Sequence, residues 1–228
     1  MQPAQRRAAI LDAAVAEISE RGFARTTSRH VAARAGVTHG LLHHYFPDHD
    51  SLLAAAFEKV ALEEMDEVRD TLATGLDPLV QLRQLTEPFG PGGGESAYRF
   101  WFEAWSEAAH SPVLRRTSER LSMAWHHLVV EVIERGNMSG AFHCDAPHEA
   151  AWMVVALCDA YALHSQSGSG IALDEMARVT RRLTERELGL ATGALAAAQP
   201  SIEPSRQSTG LSGPSAGPPT GRAPSHMG

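Results

Sequence analysis

Apolar residues recur along most of this chain at the spacing of helices rather than strands. Between Arg6 and Arg21, Ile10, Leu11, Ala14, Val15 and Ile18 share one helical face. Gly22 stops that helix, and Phe23 is placed to fold back onto its last turn. Thr26 or Thr27 then offers a hydroxyl to cap a second, short helix carrying Val31, Ala32 and Ala35. Gly36 closes it, and Thr38 caps a third short helix with Leu42 and Phe46, and also Leu41, as its inward candidates. Pro47 ends the third helix, since proline restrains its predecessor and donates no backbone hydrogen bond. Asp48 caps a long fourth helix bearing Leu52, Leu53, Ala56, Phe57, Val60, Met65, Val68 and Leu72 on or near one face.

Gly75 is expected to end that helix, and Asp77-Pro78 supplies the cap and first turn of the next. Beyond a glycine-rich interruption at 88–94, helical patterns run from about Glu95 to His110, Pro112 to Gly136, Pro147 to Gln166 and Leu173 to Leu188. No bounded run of alternating β-branched residues competes with them. The fold class predicted is all-α. A three-helix helix-turn-helix head (1–48) is joined by the long helix to a helical body (49–190). A Pro-, Gly- and Ser-rich tail (191–228) lacks the apolar content to order itself.

Charge changes this picture only locally. The net charge of −7 argues against a generally basic surface, yet residues 1–50 hold six arginines against five acids. The acid concentrates in the fourth helix, EKVALEEMDEVRD. Two unpaired cysteines, Cys144 and Cys158, speak against a disulfide framework and for a reducing, cytoplasmic setting. The longest apolar run, Ala150 to Leu163, contains Asp159 and falls short of the roughly 18 residues that suggest a membrane span, so no membrane association is expected.

The third helix concentrates the candidate chemistry in the run VTHGLLHHYF. Two short helices joined by a glycine turn, the second with a polar outer face, suit entry into the major groove of double-stranded DNA. Thr38, His39, His43, His44 and Tyr45 supply that outer face. His39 and His43, four apart, can also share a metal ion, but nothing nearby completes three or four ligands. His126, His127, His143, Cys144 and His148 form a second loose set, read as loop and helix-end polar groups. No nucleophile elbow, phosphate-binding glycine loop or dinucleotide fingerprint occurs, so no catalytic residue, cofactor or metal site is assigned.

Residues 6–57 resemble the DNA-binding head of the TetR family of bacterial regulators. The resemblance rests on an ordered series: Ile10-Leu11-x-Ala13-Ala14, Gly22-Phe23, Thr26-Thr27, Val31-Ala32-x-x-Ala35-Gly36-Val37-Thr38, Gly40-Leu41, Tyr45-Phe46 and Leu52-Leu53. It implies that Thr27 and Tyr45 hold phosphates, that Thr38, His39, Gly40 and His44 lie nearest the bases, and that Arg29 and His49 complete the DNA-binding set. Gly40 has a physical reason to be small, because a side chain there can hold the helix away from the groove. Where family members often carry a lysine, this chain has His49.

More loosely, FWFEAWSEAAHSPVLR and WMVVALCDAYALH resemble the ligand-binding domain of the family's BetI-like branch. That implies a homodimer whose two heads are respaced by a small-molecule effector, most simply a repressor released from a pseudo-palindromic operator. The expected pocket, for a small and largely apolar effector, draws on Phe89, Phe100, Trp101, Trp105, Met123, Trp125, His126, Trp152 and Asp159. The dimer interface is expected to draw on Trp152, Val155, Ala156, Ala162 and Leu163, with Arg178, Arg181, Arg182, Glu185, Arg186 and Glu187 mainly on its rim. The alternative is an all-α metal-dependent enzyme with histidine ligands. Because histidine is only partly charged near neutrality, operator affinity at constant salt is predicted to strengthen from about pH 8 to pH 6; a flat profile contradicts this.

Overall fold

A computed structural model describes residues 2–73, 75–86, 95–167, 170 and 172–198. Among them every regular element is helical: α1 (Pro3–Arg21), a single 3-10 turn at Phe23–Arg25, α2 (Ser28–Arg34), α3 (His39–Tyr45), α4 (His49–Ala73), α5 (Pro78–Thr86), α6 (Glu95–Ala108), α7 (Pro112–Ser139), α8 (Pro147–Ser167), α9 (Leu173–Glu187) and α10 (Ala194–Ala197). None of these helices is long and apolar enough to cross a membrane.

The head forms as the caps require. Thr27 Oγ1 accepts from the His30 amide at 3.3 Å, and Thr38 Oγ1 from the Leu41 amide at 3.2 Å, so each short helix starts where its first free N–H is satisfied. Thr26 is instead buried and donates to the Gly22 carbonyl at 2.8 Å. Glu17, on the buried side of α1, accepts from Arg21 Nε at 2.6 Å and Arg34 Nε at 2.7 Å, which ties α1 to α2. Those bonds, with Arg34 the larger influence, hold its carboxyl below the usual range.

The head does not close its own core. Ile10, Ile18, Phe23, Val31, Leu42, Phe46 and Phe57 belong to one buried cluster with Phe100, Trp101 and Ala104 of α6 and Leu114 and Leu121 of α7. A second cluster, farther along α7, joins Leu72, Leu82, Ile133, Phe142, Val154, Leu188 and Leu195. Trp125 packs against both.

Three expectations need revision. The body does not end at 190, because α10 lies beyond it with Leu195 fully buried. Glu185 is buried rather than on a rim, because its carboxylate accepts the Gly193 and Leu195 amides at 2.9 Å each and so caps α10. α7 continues past Gly136 to Gly140, whose φ of 76° makes the actual stop. Gly136 is small for another reason: a Cβ there would lie 1.9 Å from Phe142 Cδ2, within the closest packing of the second cluster.

Candidate DNA-reading face and effector cavity

α3 is anchored from behind by Leu42 and Phe46, both buried, and Arg7 covers the Phe46 ring at 5.1 Å. Thr27, Arg29, Thr38, His39, Gly40 and His44 are exposed on the outer side of the head, with Tyr45 and His49 half-buried. Gly40 meets nothing of its own chain within 4 Å of a built Cβ, so the fold itself does not demand glycine there. His39 and His43 bring their Nε2 atoms to 3.3 Å, so one ring must donate and the other accept. His49 is not a free tether, because its Nδ1 lies 3.3 Å from Ser28 Oγ and ties the starts of α2 and α4. Among the described residues no group of three or more His, Cys, Asp or Glu side chains is placed to hold a metal ion.

The body contains a cavity of about 260 Å³ near the junction of the two clusters, just under the ~300 Å³ at which small-molecule sites usually begin. α6 supplies Tyr98, Trp101, Phe102 and Trp105, while α7 adds Trp125 and α8 adds Trp152, so six aromatic rings wall it. Against this apolar body stand two carboxylates, Glu64 of α4 and Asp159 of α8, and the Gln84 amide of α5. Glu64 accepts from Trp101 Nε1 at 2.8 Å. Its carboxyl is nevertheless raised, with burial outweighing the Trp101 bond. Burial pushes the Asp159 carboxyl up to about 6, and the Cys158 thiol, which donates to the Leu85 carbonyl at 3.7 Å, up to about 12.

Of the residues expected in the pocket, Trp101, Trp105, Trp125, Trp152 and Asp159 line the cavity. Phe100 does not, because it faces the head, with its ring 4.9 Å from Phe23 and 6.5 Å from Phe57. Met123 is exposed. His126 is buried behind the wall, stacked on Trp152 at 4.2 Å with Nε2 3.0 Å from the His148 carbonyl. Phe89 lies outside the described residues. Of the expected interface residues, Trp152, Ala156 and Leu163 are exposed, whereas Val155 lines the cavity and Ala162 is fully buried in this chain's own core. The period of α8 turns Ala162 inward with Ala151 and Val154, so it is not a partner-facing position.

Sequence reasoning missed Glu64, Tyr98, Phe102, Gln84 and Cys158. Glu64 had a signal: it interrupts the i, i+4 series Val60–Glu64–Val68 on the inner side of α4. Also missed was the contact of α6 with the head. Glu103 Oε2 accepts the Phe23 amide at 2.9 Å, and Arg99 Nη2 donates to the Ser19 carbonyl at 2.6 Å. Gly22 permits this approach. Its φ is +84°, and a Cβ would stand 2.7 Å from the Glu103 carboxylate.

A helix-turn-helix head on a helical body with an aromatic-walled cavity defines a class of ligand-linked DNA-binding regulators. The chain belongs to the tetR family of bacterial regulatory proteins: residues 10–56 match that family's N-terminal domain, and residues 78–189 match the BetI-type transcriptional repressor C-terminal domain. It is 34% identical over 119 residues to the HTH-type transcriptional regulator BetI of Paraburkholderia xenovorans (strain LB400), covering 49% of this chain and 58% of that protein. With the regulator of the same name from Cronobacter sakazakii it shares 32% over 130 residues, covering 54% and 61%. The matched segments thus span little more than half the length of those relatives.

Solved structures share the fold. A transcriptional regulator from Saccharomonospora viridis in complex with choline superposes with a TM-score of 0.67 at 23% identity, covering 81% of this chain and 98% of that one. A TetR-family regulator from Rhodococcus sp. gives 0.66 at 22%, covering 81% and 99%. These relatives are regulators and not enzymes, and the metal-dependent enzyme alternative finds no support among them.

Asp159 provides a test of the cavity that is independent of any ligand. A carboxyl raised on folding stabilises the native state below its ordinary value of 3.8, and that contribution is lost as pH rises through about 6. Asp159→Asn is therefore expected to stabilise the ligand-free protein at pH 7.5 by about 1 to 2 kcal/mol and by less at pH 4.5. Denaturant unfolding at the two pH values checks the prediction, and a loss of stability at pH 7.5 contradicts it.

Proposed function

We propose that this chain is a dimeric repressor that reads a pseudo-palindromic operator through α3 and leaves it on binding a small organic cation. The observation that carries the reading is the two-sidedness of α6. Trp101, Phe102 and Trp105 wall the cavity, while Arg99, Phe100 and Glu103, interleaved with them, hold the head. A ligand that spreads or rotates the aromatic side moves the other side with it, since packed helices shift as rigid bodies.

The cavity also indicates the ligand's charge. Six aromatic faces attract a cation by about 0.5 to 2 kcal/mol each where they are in contact, and two carboxylates whose charged form is disfavoured by burial gain from a fixed positive charge beside them. The sequence expectation of a largely apolar effector is thereby sharpened to an apolar body carrying a cationic group. The choline complex of the Saccharomonospora viridis regulator supports the same class.

On the head, Thr38, His39, Gly40 and His44 are the proposed base-side residues, with Thr27, Arg29, Tyr45 and His49 toward phosphates. His49 would act with its Nδ1 engaged at Ser28, and the His39–His43 pair as a hydrogen-bonded unit. Two such heads need recognition helices roughly 34 to 36 Å apart, so small changes in head angle break simultaneous docking. Exposed Trp152, Ala156 and Leu163 support the proposed partner-facing surface of α8.

Fluorescence anisotropy with DNA from upstream of the chain's own gene tests the reading. Saturating choline or a related quaternary ammonium is expected to weaken operator affinity about 10- to 100-fold, in the range of ordinary allosteric coupling. Glu103→Gln should keep both bindings and shrink that ratio. Failure to retain any upstream fragment, or retention unaffected by any organic cation, contradicts the proposal.

Gly40 separates DNA reading from folding. With open space around it, Gly40→Gln is expected to leave stability unchanged or raised by about 0.5 kcal/mol, because glycine inside a helix is costly. Operator affinity should fall at least about tenfold, since the added side chain occupies the groove-facing surface. Thermal melts and the same anisotropy assay decide it; full operator affinity in the variant overturns the placement of α3.

A further inference from the structure

Resting on the cation reading above, we infer that the cavity is a two-anchor site for a dicationic organic ligand, with Glu64 and Asp159 each receiving one positive centre across an aromatic span. The carboxylates come from different walls, Glu64 from α4 and Asp159 from α8. Glu64 is fixed in place by the Trp101 indole at 2.8 Å, so it is a positioned group and not a swinging surface acid.

The placement of the two acids on different helices supports two positions instead of one shared pocket for a single cation. The Tyr98 phenol is pushed up by burial first and then by Cys158, Glu64 and Asp159. Glu64 is raised by burial and by Glu67, and Asp159 by burial alone. Both acids thus influence Tyr98, and they reach the cavity from different helices, α4 and α8, each of which packs on α7.

One cation beside one carboxylate would leave the other acid buried without a counter-charge, a costly arrangement. The Gln84 side-chain oxygen, a buried acceptor in the wall without a hydrogen-bond partner, gives an ammonium N–H a further place to donate.

Such a ligand has two ammonium or quaternary ammonium groups joined by a short apolar linker that lies against the indoles. Isothermal titration calorimetry on the full chain at pH 7.5 tests this. The single-charge probes are choline and tetramethylammonium; the double-charge probes are hexamethonium and straight-chain α,ω-diammonium alkanes of four to eight carbons. At least one dication is expected to bind tenfold or more tightly than choline. Glu64→Gln and Asp159→Asn should each cost that dication tenfold or more, whereas only one of them should matter for choline.

The comparison of probes on the unaltered protein does not depend on either variant folding. If choline binds and no dication exceeds it, or if one of the two variants binds the dication unchanged, the two-anchor inference falls and the cation reading stands. If no probe of either kind binds, both fall together.

Discussion

The packing of Phe100 against Phe23 and Phe57 is the contact on which the rest of the structure depends. Burying one such ring contributes about 1.5 to 3 kcal/mol, and aromatic pairing adds about 0.5 to 1.5. This ring belongs to the effector body while its neighbours belong to the head and to α4. The head is therefore packed against α6 as well as against α4. The Glu103 bond to the Phe23 amide adds direction to that dependence, because it fixes the 3-10 turn between the first two helices of the head. A glycine with positive φ at 22 is what lets the carboxylate come so close.

The same helix carries the cavity's aromatic wall, and there the chain retains groups that do not serve stability. Glu64 and Asp159 are carboxylates in a largely apolar cavity, and burial is the leading cause of the upward shift of each. In the proposed cycle a lower pH puts a proton on Asp159 and weakens the hold on a cation. Cation and proton would therefore compete at the cavity.

Much of the head was legible in the sequence because its signals are local. Thr38, Leu42, Phe46 and Pro47 define α3 by capping, burial and termination within ten residues, and the structure places these elements where the pattern set them. Five cavity-lining residues were named from the sequence, since indoles and a lone aspartate stand out in apolar helices. What stayed hidden depends on long-range packing. Phe100 and Trp101 are adjacent in sequence, and periodicity alone does not say which faces the head. Glu64 sat inside a run of acids that reads as a solvated surface. Gly136 resembled a helix stop until Phe142 was seen against it, and the capping role of Glu185 requires a helix whose four residues carry no periodic signal.

The central claim is that occupancy of the cavity is felt at the head through α6, and the Phe23 amide proton is its most direct reporter because Glu103 accepts it. Amide hydrogen exchange of the full chain, with and without saturating choline, isolates this proton and those of the adjoining turn. The account predicts that choline changes exchange at Phe23 and Thr26 together with the cavity-lining segment of α6. Binding of choline with exchange altered around the cavity and unchanged at Phe23 and Thr26 would contradict it.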